Sequence, residues 1–560
     1  MVSDRTGELG QTGESAPISV NQAGVDIAAK PAIGVGQRVR LWLAAWKTRL
    51  AILGSVDLRS LAVLRIALGL ILIWDLIDRS RWLTAHYTDS GILPRSVLIE
   101  TEGFRGYLSL HCLSGSVLWQ AALFGAAGYF ALCLMLGIRT RLATATSWLL
   151  LLSLHHRNPE ILQAGDTLLR LLLFWGMMLP LGARWSIDSV SGPLALCHRK
   201  DNALLSVAGV AILLQVCLVY WFTAAFKDHP MWWHHNAAYY ALHVDQLVTP
   251  FGMWLRELEW LLPWLTWGVF GLAVAAPLLA FCPVWTGTAR LCVIAAMIGM
   301  HLAMVMCLNL GLLPYVAAAS WLVFIPTKAW DRLRLRFRKQ TGLRARAPRV
   351  TWAVAMLRWL PWVVSGSRRG TGDVLIDIPA SRQAGIRARN WEQVVASIAL
   401  LYVIAWNLQS LDANRDTPLL PAGLASFGDV LMMDQSWNMI SPKAEALDYD
   451  GWFVMPATLA DGTKIDAFTH GPIIWSNPIG LYEEHEMGAR WRRFLRNLAR
   501  PEFAHYLHPF AEYLARHHDL DHNADKRIES FQIIYIREQE QPDGRVILTR
   551  QTLLEYHHGP

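Results

Sequence analysis

Apolar runs of helical length recur along the chain as far as residue 408. They lie near 60–77, 117–136, 142–156, 166–181, 203–225, 261–281, 290–308, 312–326 and 393–408. A hydrocarbon core about 30 Å thick takes about 20 helical residues. The pattern therefore predicts about nine membrane spans, some of them short. The stretch TWAVAMLRWLPWVVS (351–365) is too short and interrupted to cross, and predicts a helix lying in the interface.

The pattern changes after residue 412. GWFVMPATLADGTKIDAF (451–468) carries two β-rich runs around Asp461-Gly462, and FQIIYIREQEQPDGRVILTR (531–550) repeats the design around Asp543-Gly544. Both read as hairpins. Between them, 488–517 has helical spacing and is rich in Arg, Leu, Ala and His. The fold expected is mainly α, a polytopic helical bundle of about nine spans with a C-terminal soluble α+β domain. The boundaries read as a disordered, basic cytoplasmic tail (1–50), the transmembrane bundle (51–330), a basic cytoplasmic loop holding the interfacial helix (331–390), a last span (391–411) and an extracytoplasmic α+β domain (412–560).

Composition agrees with this pattern. Of 560 residues, 53% are hydrophobic and 17% charged, against roughly a quarter charged in soluble proteins. The 27 Trp and 14 Tyr suit two membrane–water interfaces. The net charge of +7 does not point to nucleic acid, because the basic residues concentrate in one loop. Loop 327–390 holds 15 Lys/Arg against three Asp. With Arg38, Arg40, Lys47, Arg49 and Arg59 placed in the cytoplasm, loops 137–141, 182–202 and 327–390 fall on the same side. The C-terminal domain then lies outside, in the periplasm of a bacterium or the lumen of a eukaryote; a bacterial inner membrane is the expected location. Loop 78–116, with four Arg, runs against this arrangement. Residues 1–36 read as a disordered tail, with no secretory signal expected in the first 50. None of the seven cysteines lies beyond Cys307, so no disulfide is expected in the C-terminal domain.

Ionisable groups inside spans are costly and become candidates for function. Asp166 and Arg170 are spaced i, i+4 and read as an internal ion pair that fixes helix packing. Arg65 and Asp75 read as end-of-span anchors or interhelical partners. His301 sits within CVIAAMIGMHLAMVMCLNL, as a core histidine or a functional one. Lys227 ends the run VYWFTAAFK and precedes Asp228, His229, Trp232, Trp233, His234 and His235. It reads either as a snorkelling lysine or as a desolvated amine able to take a proton. Aromatics beside it would suit a flat apolar substrate. His229, His234, His235, His243 and His301 lack a metal-ligand frame, and no metal is expected.

Five stretches carry a family resemblance: DLRSLAVLRIALGLILIWDL (57–76), HYTDSGILPR (86–95), HHRNPEILQAGDTLLRLLLFWGMMLPLG (155–182), FKDHPMWWHHNAAYYAL (226–242) and HLAMVMCLNLGLLPYVAAASWLVFIP (301–326). MDQSWNMISP (433–442) and DGWFV (450–454) extend it. The chain resembles the horizontally transferred transmembrane (HTTM) domain family, which includes the vitamin K-dependent gamma-carboxylases. That resemblance implies reduced quinone and oxygen as reactants, with carbon dioxide a candidate third. It implies Lys227 as the base that deprotonates the quinol and His301 as a second functional residue. Asn158, Trp232 and Tyr315 are the implied quinol-binding residues. The pattern departs at Asn158, which is followed by Pro159 where the carboxylases have histidine, and in the lack of a cysteine for the disulfide that joins bundle to C-terminal domain in animal members.

Two readings stay open. One is a quinol oxygenase (epoxidase), coupled to carboxylation of a protein glutamate or to another extracytoplasmic substrate. The other is a non-catalytic anchor presenting a binding domain. The expected partners are membrane lipid, quinone and an extracytoplasmic protein, not nucleic acid. A transporter is weaker, since no inverted repeat is visible.

Overall fold

The computed structural model describes residues 35–103, 109–191, 202–227, 230–234, 236–341, 390–411, 418–439, 449–477, 488–520, 526–540 and 546–558. The interfacial helix expected at 351–365 lies outside these residues, as do positions 1–34 of the tail expected over 1–36. The chain divides into two units between Arg49 and Leu50; of the first, the described part belongs to the helix α1 (Val35–Gly54). The second unit is described here.

Its helices fall where the apolar runs predict. They are α2 (Leu58–Ser80), α3 (Val117–Leu136), α4 (Thr140–Arg157), α5 (Ala164–Met177), α6 (Val207–Ala225), α7 (Leu262–Ala280), α8 (Thr286–Cys307), α9 (Leu313–Ser320), the basic α10 (Thr327–Thr341) and α11 (Asn390–Leu411). Among the described residues, six are long and apolar enough to cross a membrane: α2, α3, α6, α7 with the turn before it, α8 and α11. The other three expected spans form shorter or more polar helices. At 1.5 Å per residue, the 14 residues of α5 reach about 21 Å. α9 and the 3-10 turn after it end at Phe324. α4 has the length, but carries Thr-rich and His-His-Arg ends.

Local chemistry sets the helix ends. Asp57 caps α2, Ser116 caps α3 and Ser206 caps α6, each side chain accepting a backbone N–H of the first turn. Gly137 ends α3 in the left-handed conformation, φ 71°, which glycine adopts without strain. α5 and α9 approach closely at Gly165, where an added Cβ would lie 2.6 Å from the Leu313 backbone nitrogen.

The outward faces are apolar. On α2, Leu70, Trp74 and Ile77 are exposed at i, i+4, i+7 spacing, and α11 exposes Val394, Ile398 and Leu401. Such faces are costly in water and suit lipid. The inward faces of α2, α4, α5, α6, α8, α9 and α11 close one core around Leu68, Leu172, Trp175, Leu213 and Trp321.

The two ends of the bundle differ. At one end two short strands pair, β1 (Ser55–Asp57) with β2 (Ala203–Leu205). Arg59 there binds Asp331 of α10 at 2.8 Å, and Arg141 binds Glu392. The other end carries the C-terminal domain. Its strands are β3 (Tyr449–Val454), β4 (Pro456–Leu459), β5 (Lys464–Asp466), β6 (Ile528–Glu540) and β7 (Val546–His557), all paired antiparallel. β3 and β4 share one edge of β6, and β7 takes the other. The expected hairpin at Asp461-Gly462 joins β4 to β5, with Gly462 at φ 84°. The second expected hairpin is β6–β7, and its turn lies outside the described residues. β6 buries both faces: Phe531 and Ile533 meet the helices, while Ile534 and Ile536 meet Trp452 and Val454.

Helices α12 (Ala489–Leu498) and α13 (Leu507–Leu520) weld this sheet to the bundle. Trp491 of α12 is the pivot. Its ring packs against His86 and Trp82 of the bundle and Phe468, Phe494 and Phe510 of the domain. Tyr87, Leu154 and Ile161 share one apolar core with Phe510, Leu514 and Phe531. The domain is therefore fused to the bundle rather than tethered to it.

Candidate functional site

Lys227 follows the end of α6. Phe226 holds the last helical turn, and the Lys227 backbone N–H donates to Ala224 O at 3.1 Å. This geometry turns the side chain inward, where Lys227 is 3% exposed. Its Nζ stands 3.6 Å from the centre of the Trp232 ring. Trp232 is itself buried with Met231 and Ala237, against Phe270 of α7. Among the described residues, no hydrogen bond or carboxylate meets the amine. Burial alone pushes its pKa down to about 7, because desolvation penalises the charged form. The ring face favours the cation, but that attraction is smaller than the cost of burial. Asp228 and His229 lie outside the described residues.

His301 lies on the inward face of α8, 5% exposed. Its Nε2 is 2.7 Å from the Tyr220 hydroxyl, which also accepts the Trp321 indole N–H at 2.9 Å. An indole nitrogen only donates. Tyr220 then has one proton to give, and the atom in reach is His301 Nε2. The remaining imidazole proton therefore sits on Nδ1, which is buried with no partner. A buried donor left unpaired costs about 1–3 kcal/mol and fits an oxygen supplied by a ligand. Tyr220 lies on α6 seven residues before Lys227, which follows the end of that helix. α6 thus links the amine to the histidine.

The other predicted residues lie elsewhere. Asn158 is fully buried after α4, its Nδ2 donating to His86 O at 3.0 Å and its Oδ1 unpaired. Tyr315 packs edge-on against Trp74, ring centres 4.9 Å apart. Tyr315 and Trp74, but not Asn158, line a cavity of about 380 Å³ at the seam between bundle and domain. Asp75, Asp78, Asn309 and Arg490 also line it, whereas Lys227, Trp232 and His301 do not. Of the five histidines weighed as metal ligands, His229 and His235 lie outside the described residues, and His243 stacks on Tyr239.

The expected Asp166–Arg170 pair is not direct. Asp166 binds Arg79 at 2.7 Å and Arg490 at 3.1 Å. Arg170 instead donates to Met432 O and to His155 Nδ1, each at 2.8 Å. The two share a face, but His155 stands between them, its Nε2 3.6 Å from Asp166. Asp75 completes the network, bound to Arg79 at 2.8 Å and to Arg490 of α12. A domain arginine thus enters a buried four-membered ring of two carboxylates and two guanidiniums. Arg65, read as an anchor, donates to Trp185 O at 2.6 Å.

Sequence reasoning missed Tyr220, Trp321 and Arg490. The seven-residue spacing of Tyr220 and Lys227 within one apolar run was a usable signal for the first. Nothing local marks the other two, whose partners lie far along the chain.

A bundle of apolar-faced helices, with an ionised end sealed by an α+β domain, defines an integral membrane protein. The HTTM domain model matches residues 54–330. That region carries an HTTM domain, the family the sequence resembles, which points to a membrane protein related to vitamin K carboxylase. No curated protein and no solved structure matches the chain.

Proposed function

We propose that the chain is a quinol oxygenase of the vitamin K carboxylase type, with Lys227 as its base. The observation that carries this reading is the Lys227 amine, buried against Trp232, met by no acid among the described residues, with a pKa lowered to about 7. A neutral amine at pH 7 takes the quinol hydroxyl proton. The His301 Nδ1–H, left without a partner, donates to the oxygen that gains charge. Trp232 supplies a flat apolar wall. The overall step balances as quinol plus O2 giving quinone epoxide plus water. Quinol, oxygen and carbon dioxide enter as substrates, and carboxylation of a glutamate is the proposed coupled reaction.

The nine-span arrangement belongs to this reading, with α4, α5 and α9 crossing as short helices inside the bundle. It puts α10 in the cytoplasm and the C-terminal domain outside. Two of the four arginines in loop 78–116 support it, because they are neutralised. Arg79 lies in the ion network, and Arg95 binds Asp89 at 2.8 Å. Exposed Trp233, Trp254, Trp260 and Trp264 cluster in sequence around Lys227 and the start of α7, as an interfacial belt would.

Mass spectrometry of detergent-purified protein should find a co-purifying quinone. Quinol-dependent oxygen uptake should follow, and bicarbonate dependence decides whether carboxylation is coupled. Failure of quinol to bind or turn over would refute the reading. The anchor reading has one observation of its own. β7 is an edge strand that exposes Val546, Ile547 and Leu548, a surface suited to a partner strand. It predicts no effect of quinol on the melting temperature.

A further inference from the structure

The seam cavity is separate from the Lys227–His301 line and has its own chemistry. Its volume is about 380 Å³, room for a small polar headgroup with its first carbons. Two aromatic rings form one wall, Trp74 of α2 and Tyr315 of α9, arranged edge-to-face. Each is about four-tenths exposed. Trp74 belongs to the stripe Leu70, Trp74, Ile77 that faces lipid. The mouth of the cavity is therefore continuous with the membrane-facing surface.

The charges beside these rings do not cancel. Asp75, Asp78 and Arg490 line the cavity, and Asp166 and Arg79 join them from behind it. Asp75 and Asp166 are each bound by both arginines. Asp78 is left with Arg490 Nε at 4.0 Å, and its side chain is 41% exposed. Arg170 turns away to Met432 O and His155, and Arg492 donates to Asn309 O. Among the three acids and two arginines one negative charge remains over, and Asp78 carries it, one helical turn after Trp74 on α2 and lining the same cavity as the two rings. An acid and two aromatic rings on one cavity suit an ammonium group. Asn309 and Thr249 on the rim add hydrogen-bonding groups.

We propose that this cavity binds the ammonium headgroup of a membrane lipid, entered sideways past Trp74. The lipid would cover the outer end of α2 and the seam with α12. The site is independent of the quinol chemistry, so either assignment can fail alone.

The test is native mass spectrometry of the full chain released from detergent containing equal amounts of phosphatidylethanolamine, phosphatidylcholine and phosphatidylglycerol. Wild type should retain one ammonium-headed lipid in preference to phosphatidylglycerol. Asp78→Asn should lower that retention about tenfold, the loss of one desolvated charge contact. Trp74→Leu, which keeps the apolar surface and removes the ring, should lower it as well. Asp461→Asn, in the exposed hairpin, should leave it unchanged. Preferential retention of phosphatidylglycerol would overturn the proposal, since Arg490 rather than Asp78 would then direct binding. Undiminished retention in both Asp78→Asn and Trp74→Leu would overturn it too. So would displacement of the lipid by a soluble lysine peptide or by a naphthoquinol.

Discussion

Replacing Arg490 with Met separates the ionic part of the seam from its packing. Methionine keeps the apolar stem and removes the guanidinium. Arg490 gives hydrogen bonds to Asp75, to both oxygens of Asp166 and to Ile161 O. Its removal leaves two buried carboxylates sharing Arg79. Losing one partner of a buried pair costs about 3–5 kcal/mol, because the remaining charge is uncompensated. That is a large part of the roughly 5–15 kcal/mol that holds a domain together. The apparent melting temperature should fall on the order of 10 °C. Intrinsic fluorescence is a suitable probe, since Trp491 is the next residue and is 2% exposed. Adding Asp75→Asn to Arg490→Met should recover part of the loss, about 1–3 kcal/mol, because the remaining charges then balance. If Arg490→Met melts with wild type, or if Asp75→Asn deepens the defect, the network does not hold the domain to the bundle.

Gly165→Ala should destabilise by about 1–3 kcal/mol, read from the same melts, because its Cβ would meet Leu313 backbone atoms at 2.6 and 2.8 Å. Tyr220→Phe strips the partner from both Trp321 Nε1 and His301 Nε2. It should cost about 1–3 kcal/mol and lower quinol turnover without abolishing it. The rate of quinol oxidation should rise with pH through about 7 and then level off, as Lys227 loses its proton. Stability follows the same group. The folded pKa of Lys227 is lowered from 10.5 to about 7, so between those values the unfolded chain binds the extra proton and stability climbs with pH. Lys227→Met should therefore melt above wild type near pH 7, and the gap should narrow toward pH 10.5.

The helices were legible because each apolar run is local. A span declares itself through about 20 consecutive residues, and both hairpins through Asp-Gly between β-rich runs. The length of α5 was less legible. Leu179 and Leu181 extend the run in sequence, but the helix stops at Met177 and the chain turns. Apolarity continues past the end of the helix because this turn is buried too. At the site, Lys227 and Trp232 were readable as neighbours five residues apart. The Asp166–Arg170 reading failed for a tertiary reason. Arg79 and Arg490 reach Asp166 from 87 and 324 residues away, and two such partners outcompete one on the same helix. The Tyr220 hydroxyl between His301 and Trp321 is another long-range contact that no single segment encodes.

The claim on which the account depends is that the amine at position 227 accepts the quinol proton, and amine rescue of Lys227→Ala tests it most directly. Oxygen uptake with a naphthoquinol is measured in the variant with and without added ethylamine, on protein whose melt shows an intact fold. The account predicts uptake lowered by about two orders of magnitude or more, as for loss of a general base, then partly restored by the amine in proportion to its neutral fraction. Uptake equal to wild type without added amine would contradict it, as would a loss that no amine restores at any pH.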